Sequence, residues 1–308
     1  MTGRNGVAGN AGRADRTEDN PGDSLHARSL FAGAATDYPH DMHLFCSPVS
    51  RLGPIAAVLL LACSAAPVSW SGDRTVSASA ANTTVGAAGS VLVDSLSLLA
   101  ATLTPPSPVC PGSLRLARAG HTLFGVWWSP RPDSLASLVS AHSVNDGVSW
   151  SAVSLVDTTD HGAAGCHREA PSVAADSATG YIHIAYALLA PEGPGLFYSH
   201  SMDRGATFHS PVPIVYGEHL GRTRVASSGD VVAVAFEDPN SGVPRVGLAL
   251  SRTMGHIFEN RLLPVSDDNG AASRPLVAVQ GHRVSVAWQE RGSVNGDVVL
   301  RVRTGTLH

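Results

Sequence analysis

The sequence contains no lysine: all 21 of its basic residues are arginine. We read this as the mark of a GC-rich coding sequence, not of a function. Charge is sparse, with charged residues at 15% of 308 and a net charge of −4. That balance argues against a nucleic-acid-binding surface. No nucleophile-elbow motif is present, so Ser-His-Asp catalysis has no support. Asp157, Asp160, His161, Cys166 and His167 crowd one loop, but their spacing matches no standard metal pattern. The stretch Asp267 to Gly270 lacks the alternating ligands of a calcium loop. We therefore expect neither metal nor cofactor. What the chain does have is 44% hydrophobic residues, enough to bury the core of one large β domain or two small ones.

The first 90 residues divide by composition. Residues 1–41 are polar, rich in Gly and Ala, and without periodicity, so they read as a disordered or mis-assigned extension. Met42 is a plausible start. Residues 42–66 then have the parts of an export signal: Arg51, an apolar run over 52–62, and a small-residue exit. The run of 11 is short of the roughly 20 residues a spanning helix needs. Its end, Leu60-Leu-Ala-Cys63, resembles a bacterial lipobox, which would make Cys63 a lipidation site and the only link to a membrane. Plain cleavage after Ala66 is the alternative, although Pro67 disfavours it. Residues 67–90 read as a flexible tether of Ser, Ala, Thr and Gly.

From about residue 91 the chain repeats. Its shared core is a strand, a short turn and a second strand ending in an aromatic. The aromatics taken as equivalent are Trp128, Tyr186, Phe236 and Trp288, spaced 58, 50 and 52 apart. Second strands such as Val232-Ala-Val-Ala-Phe236 alternate with period two and are rich in β-branched residues. Each is followed by a loop, a third strand, a tight turn and a fourth strand. The expected fold is all-β: a β-propeller of four-stranded antiparallel blades over 91–308, with about four blades recognisable. Residues 91–103 sit where a strand from the N-terminal side would close the last blade.

The tight turns carry a motif. Residues 201–208 read SMDRGATF, with Ser201, Asp203, Gly205 and Phe208 as the key positions. Ser143, Asn145, Gly147 and Trp150 repeat it, and Ser251, Gly255 and Phe258 form a worn copy. The short polar residue folds back on turn N–H groups. The glycine takes a positive φ, and the aromatic buries under the turn. This pattern resembles the Asp-box, or BNR, repeat of the sialidase superfamily. The resemblance covers about two-thirds of the chain and implies architecture.

The resemblance also implies an arginine clamp for a substrate carboxylate. Arg168, Arg222, Arg224 and Arg274 stand at or just before first strands, where such a clamp belongs. Guanidinium is always charged and binds a planar anion in two places at once. The alternative is that these arginines pair with local acids such as Glu169 or Glu218. The family's Phe-Arg-Ile-Pro motif is absent. By the same resemblance a sialidase needs a tyrosine nucleophile, a glutamate to activate it and an aspartate acid, for which Tyr216, Glu218 and Asp238 are the candidates on the right face. Cys110 and Cys166 fall at like places in successive repeats of an exported chain, so a disulfide is expected. Two function classes remain open. One is an exported propeller binding a glycan or envelope protein; the other is an exo-α-sialidase-type glycoside hydrolase.

Overall fold

In a computed structural model, the described residues are 66–76, 105–157, 159, 165–190, 192–267, 270–292 and 296–308. The extension, the export signal with Cys63, and the strand expected over 91–103 lie outside them. The described chain holds 17 strands and no helix. It opens on β1 (Val68–Trp70) and β2 (Arg74–Val76). The first blade is β3 (Arg115–Ala119), β4 (Thr122–Pro130), β5 (Ala136–Ser143) and β6 (Ser154–Leu155). The second is β7 (Ser172–Ala175), β8 (Ile182–Ala190), β9 (Gly193–Ser201) and β10 (Val212–Tyr216). The third is β11 (Thr223–Ser228), β12 (Val231–Glu237), β13 (Val246–Ser251) and β14 (Asn260–Pro264). The last holds β15 (Gly270–Gln280), β16 (Arg283–Gly292) and β17 (Val298–Leu307). All pairing is antiparallel, and the architecture is a β-propeller of four blades.

The fourth blade is completed from the N-terminal side, as expected, but from an earlier segment. Val68 pairs with Leu307, and Val76 pairs with Leu300, so β1 and β2 both lie on β17. These residues had read as tether. Their partner, not their composition, makes them strands: β17 would otherwise present an unpaired edge.

Alternation along the central strands builds the core. In β8, Ile182, Ile184, Tyr186 and Leu188 face the first blade, packing with Phe124, Val126 and Trp128. Ala185 and Ala187 between them face the third blade and meet Val232, Val234 and Phe236. On β12, Ala233 and Ala235 then turn to the fourth blade and pack with Val284, Val286 and Trp288. A strand covered on both faces is apolar at nearly every position, His183 in β8 being an exception, which is why these strands read as runs. Successive blades are thus joined by three cores, and among the described residues no cluster joins the fourth blade to the first. The first blade's outward face carries Trp127, Val139 and Ala141, and its own Val109, Leu114 and Trp150 cover it.

The register corrects the repeat alignment. Ser143, Ser201 and Ser251 pair with Leu123, Ile182 and Val232. Counting four on from each, Trp127 stands where Tyr186 and Phe236 stand. Trp128 is one residue off, and so faces the opposite side of its sheet.

The three turns share one geometry. The hydroxyls of Ser143, Ser201 and Ser251 accept from the N–H of Gly147, Gly205 and Gly255 at 2.8, 2.7 and 3.1 Å. Asn145 and Asp203 accept from the N–H of Ser149 and Thr207 at 2.9 and 2.8 Å, and in the worn copy the Thr253 hydroxyl accepts from Ile257 at 2.9 Å. The glycines have φ of 84–87°, and the residue before each is also left-handed, at 56–58°. Phe258 is buried, and its ring meets Tyr198 edge-on at 4.9 Å. Phe208 and Trp150 are half-buried against the first blade.

Candidate functional site

Strands β3, β7 and β11 start at the face opposite these turns. There a cavity of about 270 Å³ opens, lined by Pro111, Gly112, Arg115, Arg168, Glu169, Ala170, Arg222 and Arg224. Each of the first three blades contributes the run leading into its innermost strand. The disulfide between Cys110 and Cys166, with Cα atoms 5.3 Å apart, ties the first of these runs to the second. It therefore clamps two walls of the cavity.

Three of the four arginines are held, each in its own way. The Arg115 guanidinium donates to the carbonyls of Gly112 and Leu114 at 2.9 and 2.7 Å. Arg224 donates to the Thr223 carbonyl at 2.8 Å. The Arg168 guanidinium stacks on the Trp128 ring, and the Trp128 indole N–H donates to the Glu169 carbonyl at 3.0 Å. Arg222 is exposed at the rim. Among the described residues, Arg115, Arg222 and Arg224 have no carboxylate within ion-pair distance.

The cavity is electrostatically unbalanced. Burial lowers the Arg115 pKa from its ordinary value, Arg222 lowers it further, and Glu169 opposes both. Burial likewise lowers that of Arg224, with Arg115 and Arg222 adding to the effect and Glu169 and Glu237 opposing it. Guanidinium stays protonated even so. The lowered values record first the burial of the two guanidinium groups, and then the like charges beside them, which the acids offset only in part. An anion entering the cavity would relieve that repulsion.

The arginines expected as a clamp divide. Arg168, Arg222 and Arg224 line the cavity and Arg274 does not. Arg274 sits in an irregularity of β15 between Ser273 and Leu276, at φ 54°. Its N–H donates to Glu237 at 2.7 Å, and the N–H of Arg222 reaches the other Glu237 oxygen at 3.2 Å. Glu237 thus links the entries of two blades. Arg115 is a wall residue that sequence reasoning missed. It pairs with Val126, as Arg224 pairs with Ala235 and Ser172 with Ala185, so the three hold one repeat position. Aligning on Trp127 would have found it.

The expected catalytic trio is not assembled: none of Tyr216, Glu218 and Asp238 lines the cavity. Tyr216 ends β10, the outermost strand of its blade, with its ring edge-on to Phe197 at 5.8 Å. The Asp238 carboxylate accepts from the Asn240 N–H at 3.0 Å, a local turn contact. Glu218 is exposed in the loop between blades. Among the described residues, Glu169 is the one carboxylate on the cavity wall.

No family model matches the chain, and no curated protein matches it. Among solved structures it is similar to the Hadza microbial sialidase Hz136, at 19% identity and TM-score 0.45, over 64% of this chain and 46% of that one. It is similar too to a protein of unknown function from Dyadobacter fermentans DSM 18053, at 13% identity and TM-score 0.45, over 67% and 60%. A third is the Bombyx mori GH32 β-fructofuranosidase BmSUC1, at 15% identity and TM-score 0.40, over 62% and 43%. The chain spans less than half the length of the sialidase.

Proposed function

We propose that this chain is an exported propeller that binds a carboxylated sugar in the arginine cavity, without catalysis of its own. One observation carries the reading: Arg115, Arg168, Arg222 and Arg224 converge on one cavity where, among the described residues, Glu169 is the only acidic wall residue. Fixed, charged, forked donors suit a planar carboxylate. A volume of about 270 Å³ lies at the small end of ligand pockets, which suits a single sugar ring. Among the described residues the wall offers no tyrosine, and the acids first expected to catalyse lie elsewhere. The sialidase-type hydrolase finds its support in the arginines and in Glu169 as a solitary acid.

Export is supported by the Cys110–Cys166 bridge, since disulfides persist in oxidising compartments. The lipid anchor at Cys63 and a partner at the cell envelope rest on the sequence pattern alone.

Calorimetric titration with sialic acid and a panel of uronic acids tests the binding reading. Heat with at least one acid, and none with its neutral parent sugar, is expected. No heat with any of them overturns it. A fluorogenic sialoside assay separates the two classes: turnover that survives purification makes the protein a hydrolase.

A further inference from the structure

On the face bearing the tight turns, the second and third blades bring three histidines together. His200 lies in β9, one residue before the turn serine Ser201. His209 follows the closing Phe208 of that turn, and His256 follows Gly255 of the next. Each offers a ring nitrogen, and these nitrogens all lie within 4.8 Å of one another. The ring centres of His209 and His256 are 4.4 and 4.6 Å from that of His200. His200 is 3% exposed, while the other two are open to solvent.

The His200 Nε2 is buried without a hydrogen-bond partner. A buried polar group left unpaired is costly and asks for an explanation. Packing alone does not need an imidazole there: any flat apolar ring would fill the space without the loss. Main-chain contacts fix the site from below. The His209 N–H donates to the His200 carbonyl at 2.9 Å, and the His256 N–H donates to the Thr253 carbonyl at 3.0 Å. The Ser199 hydroxyl donates to the His209 carbonyl at 2.7 Å.

We propose that His200, His209 and His256 form a binding site for a first-row divalent transition ion, zinc above all. Imidazole nitrogen suits zinc, copper and nickel, whereas magnesium and calcium take oxygen. Three protein nitrogens leave a fourth position for water or an outside ligand. Zinc–nitrogen bonds of about 2.0–2.1 Å set tetrahedral ligands roughly 3.3 Å apart. The two exposed rings reach that spacing by side-chain rotation, moving inward against the fixed His200. Ligation requires neutral imidazole. The ion would join the turn of the third blade to the last turn of the second, on the face away from the arginine cavity.

The test uses the full chain without an affinity tag, stripped with a chelator and titrated with zinc chloride at neutral pH. One zinc per chain, with a Kd on the order of 1 μM or tighter, and a rise in melting temperature are expected. His209→Gln and His256→Gln change exposed rings, so both variants should fold. Each should weaken zinc at least roughly tenfold, and the double variant should lose the stoichiometric event. Cobalt(II) should give the visible absorption of a four-coordinate nitrogen site, lost in the same variants. No stoichiometric heat in the wild type overturns the proposal, and so does an unchanged isotherm in the double variant.

Discussion

The Arg168 guanidinium carbon lies 4.3 Å from the centre of the Trp128 ring. The same indole fixes the Glu169 carbonyl, so one side chain positions two wall residues of the cavity. Trp128→Phe keeps a ring face but gives up the donor and weakens the cation–π attraction. We expect affinity for a carboxylated sugar to fall about threefold to tenfold, for a loss of roughly 1 kcal/mol. Titration of both proteins with the same acid checks it. Equal affinities would mean that the stack does not serve the cavity.

Arg224→Met exchanges a repelled cation for an apolar chain of similar reach. Arg115 and Arg222 then lose a like-charged neighbour. The variant should melt at the same temperature or above the wild type, yet bind carboxylate about tenfold or more weakly. A lower melting temperature with unchanged binding would reverse the assignment of Arg224 from ligand group to structural group.

Gly205 and Gly255 hold the same place in their turns, with φ of 84 and 87°. Their surroundings differ. A Cβ at Gly205 meets nothing closer than 3.8 Å, whereas one at Gly255 overlaps the Tyr198 hydroxyl. Gly205→Ala should cost about 1–2 kcal/mol for the backbone alone. Gly255→Ala should cost more, by roughly 1–3 kcal/mol, because a buried ring must move. Denaturant titration of the pair measures the difference.

Burial, with help from His200 and against the pull of Asp176, holds the His183 pKa at about 3. An unfolded histidine titrates near pH 6.5. Between those values the unfolded chain takes up a proton that the folded one refuses. The stability tied to a neutral His183 is therefore complete above about pH 6.5 and is lost progressively as pH falls towards 3. His183→Gln should lessen the fall in melting temperature across that window, His200 accounting for part of what remains. Parallel curves for wild type and variant would place the acid sensitivity elsewhere.

The turns and the central strands were legible because local chemistry dictates them. Gly205 answers to φ, and Val232 to Phe236 answer to two covered faces. Other features failed where a single residue of register matters. Two tryptophans stand side by side at 127 and 128, and choosing the second put the first blade out of step, which hid Arg115. Counting back from Trp288 likewise placed Arg274 with Arg222, because nothing in the letters marks the irregularity in β15. The strands at 68–76 depend on an edge more than two hundred residues away. The histidine triad spans two blades with spacings of 9 and 47 residues, a pattern that no local motif contains.

That distant edge orders events in time. Ser69 and His308, which hydrogen-bond across the seam of the last blade, are 239 residues apart in sequence. During synthesis β1 and β2 emerge first and stay without a partner until β17 is made. Three blades can form from neighbouring segments as the chain lengthens, but the fourth must close a loop as long as the domain itself, which is slow. Assembly of the last blade therefore waits for the synthesis of β17, and until then Val68 and Trp70 stand open to any helper, or any rival strand, that reaches them before β17 does.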